Sequence, residues 1–244
     1  MNLLSLTLST TEYCSAANIA LDEALLESAE AGERTEEILR IWQPTDPTVV
    51  IGRSSPIREE VNLAYCAAHE IPVFRRSSGG ASIVTAPGCL MYAVLLDYRA
   101  RPQLRMLEQA HQFVMTKMQN ALNDIAIKTD FQGTCDLTID GKKVSGNALR
   151  CKKNWMLYHG TMICESMDLQ LISKCLGSPK RQPEYRAGRS HADFLYRIPT
   201  STEKLAAAIA KAWNATHETN DWPQSLTRHL VQTKYTTDAW NYKL

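Results

Sequence analysis

Between Cys135 and Arg150 the chain reads Cys-Asp-Leu-Thr-Ile-Asp-Gly-Lys-Lys-Val-Ser-Gly-Asn-Ala-Leu-Arg, and this stretch holds a thiol, a lysine, a serine and an amide in close succession. Leu137 and Ile139 alternate with polar residues, and Asp140-Gly141 suits the positive φ angles of a two-residue hairpin turn. On the return strand Lys143, Ser145 and Asn147 are spaced to share one polar, cationic face. Such a constellation suits acyl transfer, because a neighbouring cation favours the thiolate and donors steady the oxyanion of a tetrahedral intermediate. Taken alone, a solvated surface hairpin fits the same pattern.

A second polar cluster follows a short β-branched run: Val73 to Arg76 leads into Ser77-Ser78-Gly79-Gly80, where glycines would let a ligand approach the backbone closely. A third interrupts an apolar strand at Tyr158-His159-Gly160-Thr161. His159 there could orient a reacting group or serve only as a satisfied strand histidine.

These clusters need elements to carry them. Asn2 to Leu8 reads as a strand, and Ser15 as the cap of a helix that Gly32 ends. Ile38 to Trp42 and Thr48 to Ile51 read as strands joined by a rigid turn through Pro44 and Pro47, with Gly52-Arg53 directly after. Glu60 to His69 reads as a helix, and Ala81 to Val84 with Cys89 to Leu96 as a core hairpin across Ala86-Pro87-Gly88. Apolar positions from Leu107 to Ile125 step by threes and fours, the period of a long amphipathic helix. Trp155 to Cys164 is a strand, Asp168 starts a short helix, and Thr200 with Glu203 forms a capping box for a helix through Trp213. Gln182 to Phe194, with Arg186, Arg189 and His191, reads as a loop too charged to be core, and a short helix around Leu226 to Val231 closes the chain. No repeat or linker divides this order, so the expectation is one α/β domain over residues 1–244, of the mixed α+β kind with mixed sheets and flanking helices.

A formal charge of +1 gives no electrostatic argument for nucleic acid or an anionic membrane. The seven cysteines lie far apart without metal-ligand spacing, which implies a reducing cytoplasm and no metal site. The first residues match neither a signal peptide nor a membrane span.

In this order, Val50-Ile51-Gly52-Arg53, Arg75-Arg76-Ser77-Ser78-Gly79-Gly80-Ala81, Asp140-Gly141-Lys142-Lys143-Val144-Ser145-Gly146-Asn147-Ala148 and His159-Gly160-Thr161 resemble the blocks of the lipoate-protein ligases and octanoyltransferases, relatives of biotin-protein ligase. The resemblance implies a biotin/lipoate-protein ligase-like catalytic domain, an apolar acyl slot, and transfer of lipoyl or octanoyl groups to a lysine of lipoyl carrier domains. Those partners would be an H protein or E2 subunits, with acyl carrier protein as a donor. It assigns Lys143 to catalysis, and Arg53, Arg75, Arg76, Ser78, Gly79, Gly80, Ser145, Gly146, Asn147, His159 and Gly160 to substrate binding.

Where ATP-dependent ligases of this family carry a third glycine, a His-Asp and a Gly-Asn, this chain has Ala81, Thr85-Ala86 and Gly88-Cys89. Cys135 replaces the usual ligase asparagine, as in the cysteine-dependent octanoyltransferases that resemble it. The expectation is therefore a transferase with Cys135 as nucleophile, a thioester intermediate and no required cofactor. Alternatives are an ATP- and magnesium-dependent ligase working through a lipoyl adenylate, and a non-catalytic acyl-binding module. The basic loop at Arg186, Arg189 and His191 could dock an acidic carrier or simply be solvated.

Overall fold

The computed structural model describes residues 3–6, 14–177 and 182–244. In chain order β1 (Leu4–Leu6), α1 (Ser15–Glu30) and β2 (Ile38–Trp42) are followed by three strands of a separate small sheet, β3 (Thr48–Ile51), β4 (Val73–Arg75) and β5 (Ile83–Thr85). Between β3 and β4 lie α2 (Ile57–Glu60) and α3 (Leu63–Ala68). The long strand β6 (Cys89–Asp97) precedes α4 (Leu107–Asp124), after which β7 (Asp130–Gln132), β8 (Asp136–Ile139), β9 (Lys142–Cys151) and β10 (Trp155–Ile163) meander. Then come α5 (Leu169–Cys175), α6 (His191–Phe194), α7 (Thr202–Ala212), β11 (His217–Thr219), α8 (Gln224–Leu230) and α9 (Asp238–Asn241).

The large sheet has eight strands in the order β11-β1-β2-β6-β10-β9-β8-β7, and the small one runs β4-β3-β5. Side-chain alternation on β6 sorts the two faces. Tyr92, Val94 and Leu96 meet α4 and α7 through Val114, Met118, Leu205 and Ile209, whereas Ala93 and Leu95 meet Leu21 and Leu25 of α1.

Several expectations need correction. The Ala86-Pro87-Gly88 turn does not close a hairpin; it carries the chain from β5 of the small sheet to β6 of the large one, a second crossing after the Pro44/Pro47 turn, which joins the expected strands β2 and β3. At the second crossing Gly88 has φ +92°, and a Cβ there would lie 2.3 Å from the Met167 nitrogen. The Glu60 to His69 helix begins later than expected: α2 ends at Glu60, Val61 is extended, and the Asn62 side chain caps α3 by accepting from the Tyr65 amide at 3.1 Å. Ser15 is not a cap: Cys14 holds that position, and the Ser15 hydroxyl bonds Thr48 Oγ1 at 2.7 Å. Ser201, not Thr200, caps α7. Of the Asn2 to Leu8 strand, Asn2, Thr7 and Leu8 fall outside the described residues.

Candidate active site

The two sheets leave a cleft between them, and Lys143 lies at its division into two pockets. The first, of about 130 Å³, is walled by Ile19, Trp42, Val50, Ile83 and Met91, with Asp22, Arg76 and His159 among its polar groups. The second, of about 140 Å³, is walled by Val84, Ile163, Ile172, Leu176 and Phe194, with Glu60, Arg186 and His191. Ala81, Ser82, Ile83, Lys143, Gly146 and Thr161 border both.

The predicted hairpin forms, with Asp140 and Gly141 at φ 50° and 70°, and it aims the lysine. Lys143 Nζ lies 2.8 Å from Asp136 Oδ1 on β8, and Asp136 Oδ2 accepts from the Tyr185 hydroxyl at 2.7 Å. The aliphatic end of the lysine crosses Gly146, where a Cβ would stand 3.0 Å from Cε and 3.1 Å from Nζ. The shared face expected for Lys143, Ser145 and Asn147 is broken by a register shift between Leu137 and Thr138. Ser145 is fully buried, and its hydroxyl accepts from Asn147 Nδ2 at 3.1 Å.

Asn147 ties three strands together. Its Nδ2 donates to the Cys135 carbonyl at 2.6 Å, and its Oδ1 accepts from the Tyr92 hydroxyl at 2.5 Å. Gly160, opposite on β10, leaves room for this amide: a Cβ there would stand 1.8 Å from Asn147 Oδ1.

Cys135 borders neither pocket. Its thiol packs against the core beneath α4 and donates to the Asn147 carbonyl at 3.1 Å. Burial and the Asp136 charge push its pKa up to about 11, against the opposing pull of Lys143.

The loop after β4 is built on two arginines with different work. Arg75 is fully buried, with its Nη1 donating to the Gly52 and Ser55 carbonyls at 2.8 Å each and its Nη2 to the Asn241 carbonyl at 3.0 Å. It borders neither pocket, holds the last helix α9 against the loop, and does not face the cleft. Arg76 does border the first pocket, where it donates to the Ser78 hydroxyl at 3.1 Å and the Ala81 carbonyl at 3.0 Å. Burial lowers its pKa to about 10, which still leaves it charged at neutral pH. Gly80 has φ +89°, and its carbonyl sits where a Cβ on Gly52 would be, 1.8 Å away. Gly79 is exposed, and Arg53 is exposed with its amide donating to the Ser78 carbonyl at 2.8 Å.

His159 links this loop to α1. Its Nε2 lies 2.6 Å from the Ser78 hydroxyl and its Nδ1 2.8 Å from Asp22 Oδ2, while Asp22 Oδ1 accepts from Arg40 Nη1 at 2.7 Å. Burial works against a charge on Asp22, but the His159 hydrogen bond and the Arg40 charge outweigh it and hold the carboxyl below its ordinary pKa. The Asp22 oxygen therefore favours a proton on Nδ1, which leaves Nε2 facing the Ser78 hydroxyl.

The fold thus gathers Lys143, Gly146, Asn147, Arg76, Gly80, His159 and Gly160 at the cleft; Ser78 and Ser145 support it from behind, and Arg75 and Cys135 lie outside its walls. Asp22, Asp136, Tyr92 and Tyr185 were missed by sequence reasoning. For Asp22 a signal existed, since Asp22-Glu23 interrupts an apolar helix face and buried carboxylates need partners.

Residues 15–209 match the family model of the lipoyl protein ligase A/B catalytic domain. The chain belongs to this family. A probable lipoate-protein ligase A of Mycoplasma pneumoniae is 31% identical over 163 residues, a match covering 67% of this chain and 46% of that protein. This chain thus spans about half the length of that relative. An octanoyltransferase LipM of Brevibacillus brevis is 23% identical across 93% of this chain and 95% of its own. Among solved structures, a lipoate protein ligase of Thermoplasma acidophilum with bound lipoic acid superposes with a TM-score of 0.84 over the whole of both chains at 21% identity, which establishes the lipoate-ligase fold. No helix among the described residues is long and apolar enough to cross a membrane.

Proposed function

We propose that this chain attaches a lipoyl or octanoyl group to the lysine of a lipoyl carrier domain, with Lys143 at the reacting carbonyl. The carrying observation is that an oriented ammonium, paired with Asp136, divides two mainly apolar pockets. The first pocket takes the acyl chain against Ile19, Val50 and Met91, and its carboxyl end meets Arg76, Gly80 and Lys143. When the carrier amine attacks the acyl carbon, negative charge builds on the carbonyl oxygen and Lys143 offsets it.

Two routes of activation ask different things of Cys135. A thioester route needs a thiolate facing the acyl carbon. A thiol with a pKa pushed up to about 11 is ionised to roughly one part in ten thousand at neutral pH, and this one bonds the Asn147 carbonyl away from both pockets. An ATP-dependent route needs a second binding region beside Lys143, and the second pocket opens there. Ligases also figure among the relatives. The ATP-dependent ligase is therefore the first reading.

The transferase is the second reading. It is favoured by Thr85 and Cys89, which are buried where ligases carry phosphate- and metal-holding residues. Among the described residues no group of three or more His, Cys, Asp or Glu side chains could hold a metal ion.

The test is intact-mass spectrometry of an unmodified carrier domain incubated with this protein and octanoate or lipoate, with and without ATP and magnesium, and in parallel with an octanoyl thioester donor. ATP-dependent gain of one acyl mass supports the first reading, and gain from the thioester alone supports the second. No acyl gain in any arm sinks the proposal.

A further inference from the structure

Asp22 and Glu23 stand side by side on α1, both buried, and each is linked to one of the two adjacent serines in the loop after β4. Asp22 is linked to Ser78 through His159, as described above. Glu23 is linked to Ser77 through Tyr235. Its Oε2 accepts from the Tyr235 hydroxyl at 2.8 Å, and the Tyr235 oxygen, its own proton used in that bond, accepts from the Ser77 hydroxyl. Each carboxylate is also held by a cation at 2.7 Å, Asp22 by Arg40 Nη1 and Glu23 by Lys234 Nζ. Two parallel chains thus run from one helix to one loop: carboxylate, aromatic side chain, serine.

The second chain brings in a distant part of the sequence. Tyr235 ends the π-helical turn Val231–Tyr235 and is fully buried. Its carbonyl accepts from Asn241 Nδ2 at 2.9 Å, and Asn241 Oδ1 accepts from the Arg75 amide at 2.9 Å, so this segment grips the loop at Arg75 as well as at Ser77. Arg150 reinforces the same point, with Nη1 donating to the Ser77 carbonyl at 2.7 Å and Nη2 lying 3.7 Å from Glu23 Oε1. Glu23, Tyr235 and Ser77 border neither pocket, whereas Arg76 and Gly80, on either side of the two serines, border the first. Burying a carboxylate and a phenol is costly, and apolar side chains of similar shape could fill the same space. What a satisfied polar chain adds is a fixed geometry at its far end.

We propose that Tyr235, anchored by Glu23, is a positioning residue for acyl binding: through Ser77 it holds Arg76 and Gly80 where the carboxyl end of the acyl group meets them, in parallel with the Asp22–His159 link to Ser78. The inference rests on the proposed acyl attachment. It makes the segment from Val231 to Asn241, which lies outside the pocket walls, part of the acyl site.

The experiment titrates the whole chain with octanoate and with lipoate by calorimetry. Tyr235→Phe keeps the ring and removes the hydroxyl, and Ser77→Ala removes the same hydrogen bond from its other end. Each variant is expected to bind the acids about tenfold more weakly, and the double variant to bind no more weakly than either single one, because both break one chain. A packing role alone would lower the melting temperature and leave the affinity of the folded protein unchanged. The inference is overturned if either folded variant binds both acids as wild type does, or if the two losses multiply in the double variant. Should Tyr235→Phe fail to fold, Ser77→Ala decides alone, and wild-type affinity in it overturns the inference. Wild-type protein that binds neither acid sinks the proposed function together with this inference, whereas acyl binding that ignores Ser77 and Tyr235 sinks this inference only.

Discussion

Lys143 Nζ and Asp136 Oδ1 stand 2.8 Å apart across the β8–β9 hairpin, and the second oxygen of the same carboxylate is held at 2.7 Å by Tyr185 from the loop before α6. The lysine charge is therefore oriented by two separate parts of the chain before any substrate arrives. Preorganisation of this kind is what lets one ammonium stabilise a developing oxyanion without first rearranging.

Lys143→Ala should cut turnover by about 100-fold or more, the scale seen when one oxyanion-stabilising donor is lost. The fold should survive with a melting temperature several degrees lower, since the buried Asp136 carboxylate keeps only its Tyr185 partner, so turnover is compared below both transitions. Asp136→Asn should lower kcat more than it raises KM, because the lysine remains but loses its aim. A folded Lys143→Ala variant with near-normal rates removes this residue from the chemistry.

The two glycines beside the site should respond in opposite ways. Gly146→Ala puts a methyl group against the flexible end of Lys143, so the lysine moves, stability changes little and activity falls by about tenfold. Gly160→Ala drives a methyl group into the Asn147 amide inside the sheet, so it should cost about 2 kcal/mol in urea unfolding through overpacking. Equal stability losses for the two would contradict this division.

Arg75→Ala should unfold the protein or lower its stability by at least about 3 kcal/mol, since it strands the carbonyls of Gly52, Ser55 and Asn241 together. Any folded fraction should still bind octanoate or lipoate with wild-type affinity. Weakened acyl binding at wild-type stability would return Arg75 to the substrate site, where sequence reasoning had placed it.

What could be read in advance was local. The Asp140-Gly141 turn, the Ser77 to Gly80 loop and the His159-Gly160 strand each carry their signal in adjacent residues, and the structure has all three. What could not be read depends on distant pairing. Strands written side by side, β5 with β6, look like a hairpin because a proline-glycine turn joins them, yet they belong to different sheets, as do β2 and β3 across their rigid turn. Asp22 reaches His159 across 137 positions of sequence, and nothing near Asp22 announces that partner. The separation of Lys143 from the face of Ser145 and Asn147 likewise comes from a register shift at Leu137/Thr138 that the alternating pattern conceals.

Asp22 gives a dependence on pH with a defined sign. Its folded pKa lies below the ordinary 3.8, so it contributes stability above that value and loses the contribution as pH falls through the folded pKa. Asp22→Asn should be less stable than wild type at pH 7 by about 3 kcal/mol, because Arg40 stays buried without its carboxylate. The gap should narrow below about pH 4, where the unfolded chain's Asp22 begins to take up a proton that the folded carboxyl still excludes. Urea unfolding of both proteins between pH 3 and 7 measures it, and a gap that stays constant over this range removes the ionised Asp22 from the account.

Cys135 separates the two routes of activation most directly. With its thiol pushed up to about 11 and hydrogen-bonded to Asn147, iodoacetamide at pH 7 should modify the exposed Cys14 and Cys151 well before Cys135, as peptide mapping by mass spectrometry reports. Raising the pH toward 10 should speed the labelling of Cys135 roughly tenfold per unit, as expected for a thiol titrating above that range. Under the ligase reading Cys135→Ser should retain ATP-dependent acyl attachment, and wild type mixed with an acyl thioester should give no hydroxylamine-labile adduct. Should the adduct form on Cys135 and should Cys135→Ser lose transfer, the thiol must leave its bond to the Asn147 carbonyl to reach the acyl carbon. The protein is then a thioester transferase whose β7–β8 segment moves during turnover.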